Sequence, residues 1–227
     1  MPEGSALVIN PRGALVEQTA PPVSFPDVLF MGGVVEETAI GDVLDAISYA
    51  ADDDDIKLLL LNLDELSYAS SAQSLRIGEA LASFKESGKQ VVAYADYFSQ
   101  YQYHIASYSD ALYMHPMGQA LLTGYGGNNL YFREMLRKLS INVHVFRVGD
   151  FKSAVEPFTR DDMSDEAKLA NKTLYGGLWN YLLEDIARNR QIPRTEVETY
   201  SEQFSVLLQK SGGCLLYTSP SPRDTMS

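Results

Sequence analysis

The stretch that most restricts the fold is Ile56-Lys57-Leu58-Leu59-Leu60-Leu61-Asn62-Leu63. A nearly unbroken apolar run of this length suits a strand buried on both faces, and that burial is the mark of a parallel sheet covered by helices. The segments around it agree. Helical spacing of Val43, Leu44, Ile47 and Ala50 predicts a helix with Asp42 as its N-cap, and the acidic run Asp52 to Asp55 ends it. A second helix is expected over 71–87, with Leu75, Ile77, Leu81 and Phe84 inward and Gly88 as its stop. Gln90 to Ala95 reads as a strand, 100–109 as a short helix and 111–115 as a strand.

The order continues with helices expected over 128–139 and 164–190, a strand over 143–148, and over 195–208 a shorter helix followed by a strand or coil. Strand and helix therefore alternate, which is α/β architecture with right-handed crossovers. Residues 6–17 give two short strands around Pro11-Arg12-Gly13, and Pro21, Pro22 and Pro26 open a loop running to about Gly41. Periodicity leaves two sheet forms open, a flat doubly wound sheet and a spiral. No internal repeat is evident.

Composition narrows the function classes. The 227 residues are 45% apolar and 21% charged, enough for one domain with a substantial core. A formal charge of −12, from 30 acidic and 18 basic side chains, argues against binding nucleic acid or an anionic membrane surface. Cys214 is the single cysteine, so neither an internal disulfide nor a cysteine-based metal site is available. Four successive aspartates lack the spaced ligands and glycine of an EF-hand, and His104, His115 and His144 show no HExxH spacing. No metal and no cofactor is expected.

Chemistry converges on 144–158, HVFRVGDFKSAVEPF. Gly149-Asp150 breaks an alternating run, and Lys152 follows among Phe151, Val155 and Phe158. An amine held in apolar surroundings loses its proton more easily and can act as a general base. The plainer reading is an ordinary surface lysine after a turn. A lysine base needs a serine in reach. Ser70, Ser71, Ser99, Ser107 and Ser153 are present, none of them in a Gly-x-Ser-x-Gly elbow. Leu122 to Asn129 is glycine-rich and opens a helix, either as an anion-holding or groove-lining turn or as a plain turn with an Asn N-cap. Tyr97, Phe98, Tyr101, Tyr103 and Tyr108 form a substrate wall, an interface patch or core.

The run VGDFKSAVEPFTRDDMS, with SGKQVVAYADYFSQYQYHIAS, NNLYFREMLRKLS and IARNRQIP, resembles the long-form signal peptide peptidase A (SppA, protease IV) family of bacterial Ser/Lys peptidases, over about Arg12 to Gly213. The resemblance implies a ClpP/crotonase-like spiral of βαβ units. It also implies that Lys152 is the general base and that the nucleophilic serine lies on a second, C-terminal homologous domain; the matching place here, Gln100-Tyr101-Gln102, has no nucleophilic oxygen. Ser99, one residue away, is the internal alternative.

From the same resemblance follow an N-terminal base-bearing domain over 1–213, inactive alone, hydrophobic peptides as substrates, a homotetramer, and an anchor ahead of this region. The anchor would hold the protein at the bacterial inner membrane, facing the periplasm. The N-terminal residues MPEGSALVIN do not look like a signal peptide, and residues 214–227, CLLYTSPSPRDTMS, look like translated sequencing adapter. Two rival readings are a crotonase-like acyl-CoA enzyme and a non-catalytic scaffold in which Lys152 pairs with Asp150 or Glu156.

Overall fold

The computed structural model describes residues 4–20, 36–146, 149 and 152–210. Of the loop expected from Pro21 to about Gly41, residues 21–35 lie outside the described residues, as do Asp150, Phe151 and the tail from Cys214 onward; its last part is not loop but the strand Glu37–Ala39 and the start of a helix at Ile40. By chain contacts the molecule divides into two compact units, 1–123 with 184–227, and 124–183.

The first unit is built from repeated turns of chain. Strand β1 (Ser5–Ile9) is followed by β2 (Gly13–Val16), β3 (Glu37–Ala39) and helix α1 (Ile40–Asp52). The next turn has two strands before its helix, β4 (Ile56–Asn62), β5 (Leu66–Tyr68) and α2 (Ser71–Glu86). Then come β6 (Gln90–Ala95), α3 (Gln100–Ala106) and β7 (Ala111–Met114). All pairings are parallel, in a four-stranded sheet of order β1-β4-β6-β7 and a three-stranded sheet of order β3-β2-β5. An isolated parallel bridge between Phe98 and Ala120 follows β6. The first turn gives β1 to one sheet and β2 and β3 to the other before its helix, and the second gives one strand to each, so the chain winds as a spiral between two sheets and not as a flat doubly wound sheet.

Burial explains why β4 is so apolar, and also where the expectation for it was too strong. Ile56, Leu59 and Leu61 are at most 1% exposed, and Leu59 and Leu61 are in register with the equally buried Val91 and Ala93 of β6. Leu58 and Leu60 are only half-buried, and Val8, the register mate of Leu60, is 56% exposed. One face of this sheet is sealed by helices and the other is partly open.

Helix boundaries follow local chemistry. Helix α1 starts at Ile40, so Asp42 is not its cap but sits in its first turn, where a carboxylate favours the positive end of the helix dipole. At its far end Lys89 Nζ donates to the carbonyls of Ala50, Ala51 and Asp53 at 2.7, 2.9 and 2.7 Å, stitching α1 to the start of β6. Ser70 and Gln73 form a capping box on α2: Gln73 N donates to Ser70 Oγ at 3.2 Å, and Ser70 N to Gln73 Oε1 at 3.0 Å. Gly78 faces the Tyr108 ring so closely that a Cβ would stand 2.3 Å from it, which lets α2 and the end of α3 pack.

The second unit holds α4 (Arg133–Lys138), α5 (Glu156–Thr159) and most of the long helix α6 (Asp165–Arg190), whose residues from Glu184 belong to the first unit. Helix α7 (Arg194–Lys210) follows. Here the sequence expectations fail most. The helix expected over 128–139 is confined to 133–138, and Asn128 and Asn129 cap nothing. Residues 143–146 form no strand, because nothing among the described residues pairs with them; Phe146 is 99% exposed. Apolar alternation licenses a strand only where an edge is available to receive it.

Candidate functional site

Two places bear on a Ser/Lys reading, the start of α3 and the segment from Gly149 to Ser164. They fall in different units.

At the start of α3 the chain leaves β6 through Asp96, whose amide donates to Asp64 Oδ1 at 2.5 Å, and through Phe98, whose amide donates to Gln119 O at 3.0 Å. Ser99 is half-buried, and both its amide and its hydroxyl donate to Gln102 Oε1, at 2.7 and 2.8 Å. The other end of that amide, Gln102 Nε2, donates to Leu63 O and Leu66 O at 2.8 Å each. Gln102 is 1% exposed, so its side chain is a buried rivet between α3 and the previous turn of the spiral. The Ser99 hydroxyl is thereby turned into a cap and not toward a base, which weakens it as the internal nucleophile. Position 100 carries a glutamine, without a nucleophilic oxygen.

The same device stands one turn earlier, where Gln73 Nε2 donates to Leu15 O at 3.3 Å. Ser70-x-x-Gln73 and Ser99-x-x-Gln102 are thus one short repeat, a helix-start signature that apolar spacing alone does not reveal.

Behind α3 lies a buried polar cluster. His104 Nε2 lies 2.8 Å from Asp185 Oδ2, and Tyr108 OH donates to the same oxygen. Asn189 Nδ2 donates to it at 3.2 Å and to Ser107 Oγ at 3.2 Å, while Arg188 pairs with Asp185 Oδ1. Asp185 is fully buried and His104 2% exposed. Burial first, and the Arg188 charge second, push His104 down to about 4, so at neutral pH the uncharged ring donates its Nε2–H to Asp185. This histidine ties α3 to the end of α6, a packing role. His115 and His144 are exposed. The aromatic group separates in the same way: Phe98, Tyr103 and Tyr108 are core, Tyr97 is 52% exposed, and the half-buried Tyr101 ring meets Tyr68 edge-on at 6.0 Å.

Lys152 stands on the other unit. Its side chain is exposed, on a stretch that follows Gly149, whose φ of +104° suits glycine alone. Val155 is half-buried and Phe158 is 48% exposed, so the apolar enclosure expected around the amine is not formed by these neighbours. Enclosure requires cover from further away in the chain or from another one, since side chains on one short turn cannot surround each other. Four residues on, Glu156 is 2% exposed. A cavity of about 540 Å³ in the same unit is lined by Arg133, Arg137, Leu136, Ile141, Phe158 and Asp161 and does not include Lys152. No cluster of three or more metal-ligating side chains occurs among the described residues.

The profile of Peptidase family S49 matches residues 83–214, more than half of the chain and the whole of both places just described. The chain belongs to peptidase family S49. It is 38% identical over 211 residues to Protease 4 of Haemophilus influenzae, covering 92% of this chain and 34% of that protein. With Protease 4 of Salmonella typhi it shares 42% over 158 residues, 70% of this chain and 26% of that one. A chloroplastic serine protease SPPA of Arabidopsis thaliana is 25% identical over 161 residues, 71% and 24% of the two chains. The chain therefore spans about a third or less of the length of these curated relatives. Among solved structures, an enoyl-CoA hydratase/isomerase family protein from Silicibacter pomeroyi is 17% identical with a TM-score of 0.29, over 76% of this chain and 87% of that one. A likeness at that level says nothing about coenzyme A here.

Proposed function

We propose that this family S49 chain is the base-bearing half of a Ser/Lys serine peptidase, with Lys152 as general base toward a serine hydroxyl supplied by a second, homologous domain. The observation that carries the reading is the pairing of a family-matched lysine with a helix start that lacks a nucleophile. At α3 the family's serine position is Gln100, and the adjacent Ser99 hydroxyl is spent on Gln102. In this scheme the lysine amine accepts the serine proton as the alkoxide attacks the peptide carbonyl, and the covering domain supplies the desolvation that the exposed turn lacks. The oxyanion donors belong to that domain as well. Alone, the chain is inactive.

The reading extends to hydrophobic peptides, such as released signal peptides, as substrates, and to a homotetramer at the bacterial inner membrane facing the periplasm. Support for an assembly comes from the second unit, where Leu130, Met135, Leu139, Ile141 and Phe146 are at least 50% exposed. No helix of the described residues is long and apolar enough to cross a membrane. A scaffold role is the second reading, favoured by the exposure of Lys152.

One experiment separates the two. The chain is co-expressed with a serine-bearing C-terminal domain of the family, with and without Lys152→Ala, and hydrolysis of a hydrophobic peptide ester is measured. The expected loss is about a hundredfold or more. Full activity in the Ala variant would assign the base to another residue and leave Lys152 to the scaffold.

A further inference from the structure

We infer that Glu156 is a positioning residue for Lys152, acting by tying the lysine's turn to the first turn of the long helix α6. The inference rests on Lys152 being the base. The tie itself does not.

A carboxylate buried to 2% exposure four residues from an exposed lysine needs a reason, because an ionised group is costly to bury unless hydrogen bonds compensate it. The compensation is Ser164. Glu156 Oε1 accepts from Ser164 Oγ at 2.5 Å and Oε2 accepts from Ser164 N at 3.1 Å. Ser164 is itself buried, and it is the residue on which α6 starts: its hydroxyl accepts from Ala167 N at 3.2 Å and its carbonyl from Lys168 N at 2.9 Å. The carboxylate thus sits at the N-terminus of a 26-residue helix, where negative charge is favoured.

The turn between lysine and glutamate is held along its length. Glu156 N donates to Ser153 O at 2.9 Å, Phe158 N to Val155 O at 3.1 Å, and Thr159 Oγ1 to Val155 O at 3.2 Å. From outside the turn, Phe132 N donates to Pro157 O at 2.6 Å, and the Phe132 and Phe158 rings stack with centroids 6.4 Å apart. The strongest of these holds is the doubly accepting carboxylate, since charge-assisted bonds are about twice as strong as neutral ones. The path of the backbone at Lys152 sets where its side chain leaves the turn, and a displacement of about 1 Å at a reacting group costs on the order of a hundredfold in rate.

The test uses the peptidase assembled from this chain and its serine-bearing domain. Glu156→Gln keeps the size of the side chain but removes its charge and one of its two acceptors, so that Ser164 N–H and Ser164 Oγ–H can no longer both be satisfied by it. Ser164→Ala removes the partner more gently, should the Gln variant fold poorly, and Ser164→Thr keeps the hydroxyl. The expected result is a tenfold to hundredfold fall in kcat with KM within about twofold for Glu156→Gln and Ser164→Ala. The double variant should be no slower than the slower single one, because both remove one interaction. Ser164→Thr should restore most of kcat. In the same variants, hydrogen exchange at the Ser164 amide should accelerate.

Faster exchange with kcat within twofold of wild type would make Glu156 a plain structural anchor and overturn the inference. Unchanged exchange would overturn the tie. If Lys152→Ala keeps full activity, the base assignment falls and takes the positioning role with it, while faster Ser164 exchange in Glu156→Gln would still stand. The two failures are therefore distinguishable.

Discussion

The spiral and the segment from Gly124 to Leu183 are composed of similar residue types but hold themselves together differently. In the spiral Leu59, Leu61, Leu81, Phe84 and Val91 are at most 1% exposed, and polar groups such as Gln73 and Gln102 serve as rivets inside an apolar core. In the segment the large apolar side chains are mostly outside, with Leu130 at 70% and Leu139 at 61%, and the residues buried among those described are Glu156, Ser164, Ala167, Leu182 and Leu183. Apolar burial carries the first region. A polar knot carries much of the second, and that knot lies beside the proposed base.

The contrast can be broken by substitution. Phe84→Ala, in the sealed face of the spiral, should cost about 3–5 kcal/mol in urea-induced unfolding. A loss under about 1 kcal/mol would mean that the spiral core is loose, and the comparison would fail.

A second measurement sharpens it with pH. His104 has its ordinary value of 6.5 in the unfolded chain and about 4 in the folded one, lowered by burial and by Arg188. Because the folded value is depressed, the unfolded chain binds the proton first. The stability contributed by the neutral ring is complete above about pH 6.5 and is lost as pH falls toward 4, at about 1.4 kcal/mol per unit and so about 3 kcal/mol in all. Unfolding free energies measured from pH 7 to 4 should show that slope, and His104→Asn should flatten it. An unchanged slope would place the acid sensitivity elsewhere.

The smallest effect is expected in the second region. Leu139→Ala, at a side chain 61% exposed, should change unfolding by less than about 0.5 kcal/mol in the isolated chain. A cost near that of Phe84→Ala would show that the segment has an apolar core after all.

Legibility followed the same division. From Ile40 to Met114 the expected strands and helices fall within two or three residues of those observed, because the apolar run of β4 and the helical spacing in α1 and α2 are written in near neighbours, whereas the three-residue strand β5 is not among those expected. The Ser-x-x-Gln repeat was equally local, and a search for capping boxes would have found it. Beyond Gly124 the same rules overextended the helix at 133–138 and supplied a strand at 143–146 that has no edge to join. The lysine segment was recognisable by family resemblance, but its exposure was not, since apolar neighbours in sequence do not imply an enclosed side chain in space.

By itself the amino-acid sequence determined the longer strands and helices of the spiral, the family, and the lysine worth testing; the three-residue strands β3 and β5 of the second sheet it did not. The tertiary structure alone decided that His104 meets Asp185 across 81 positions, that Ser99 is spent on Gln102, and that Glu156 is buried on Ser164 while Lys152 faces solvent. The reason is one of range. Backbone conformation responds to residues a few places away, whereas burial and the partners of a polar group depend on which distant parts of the chain arrive beside it.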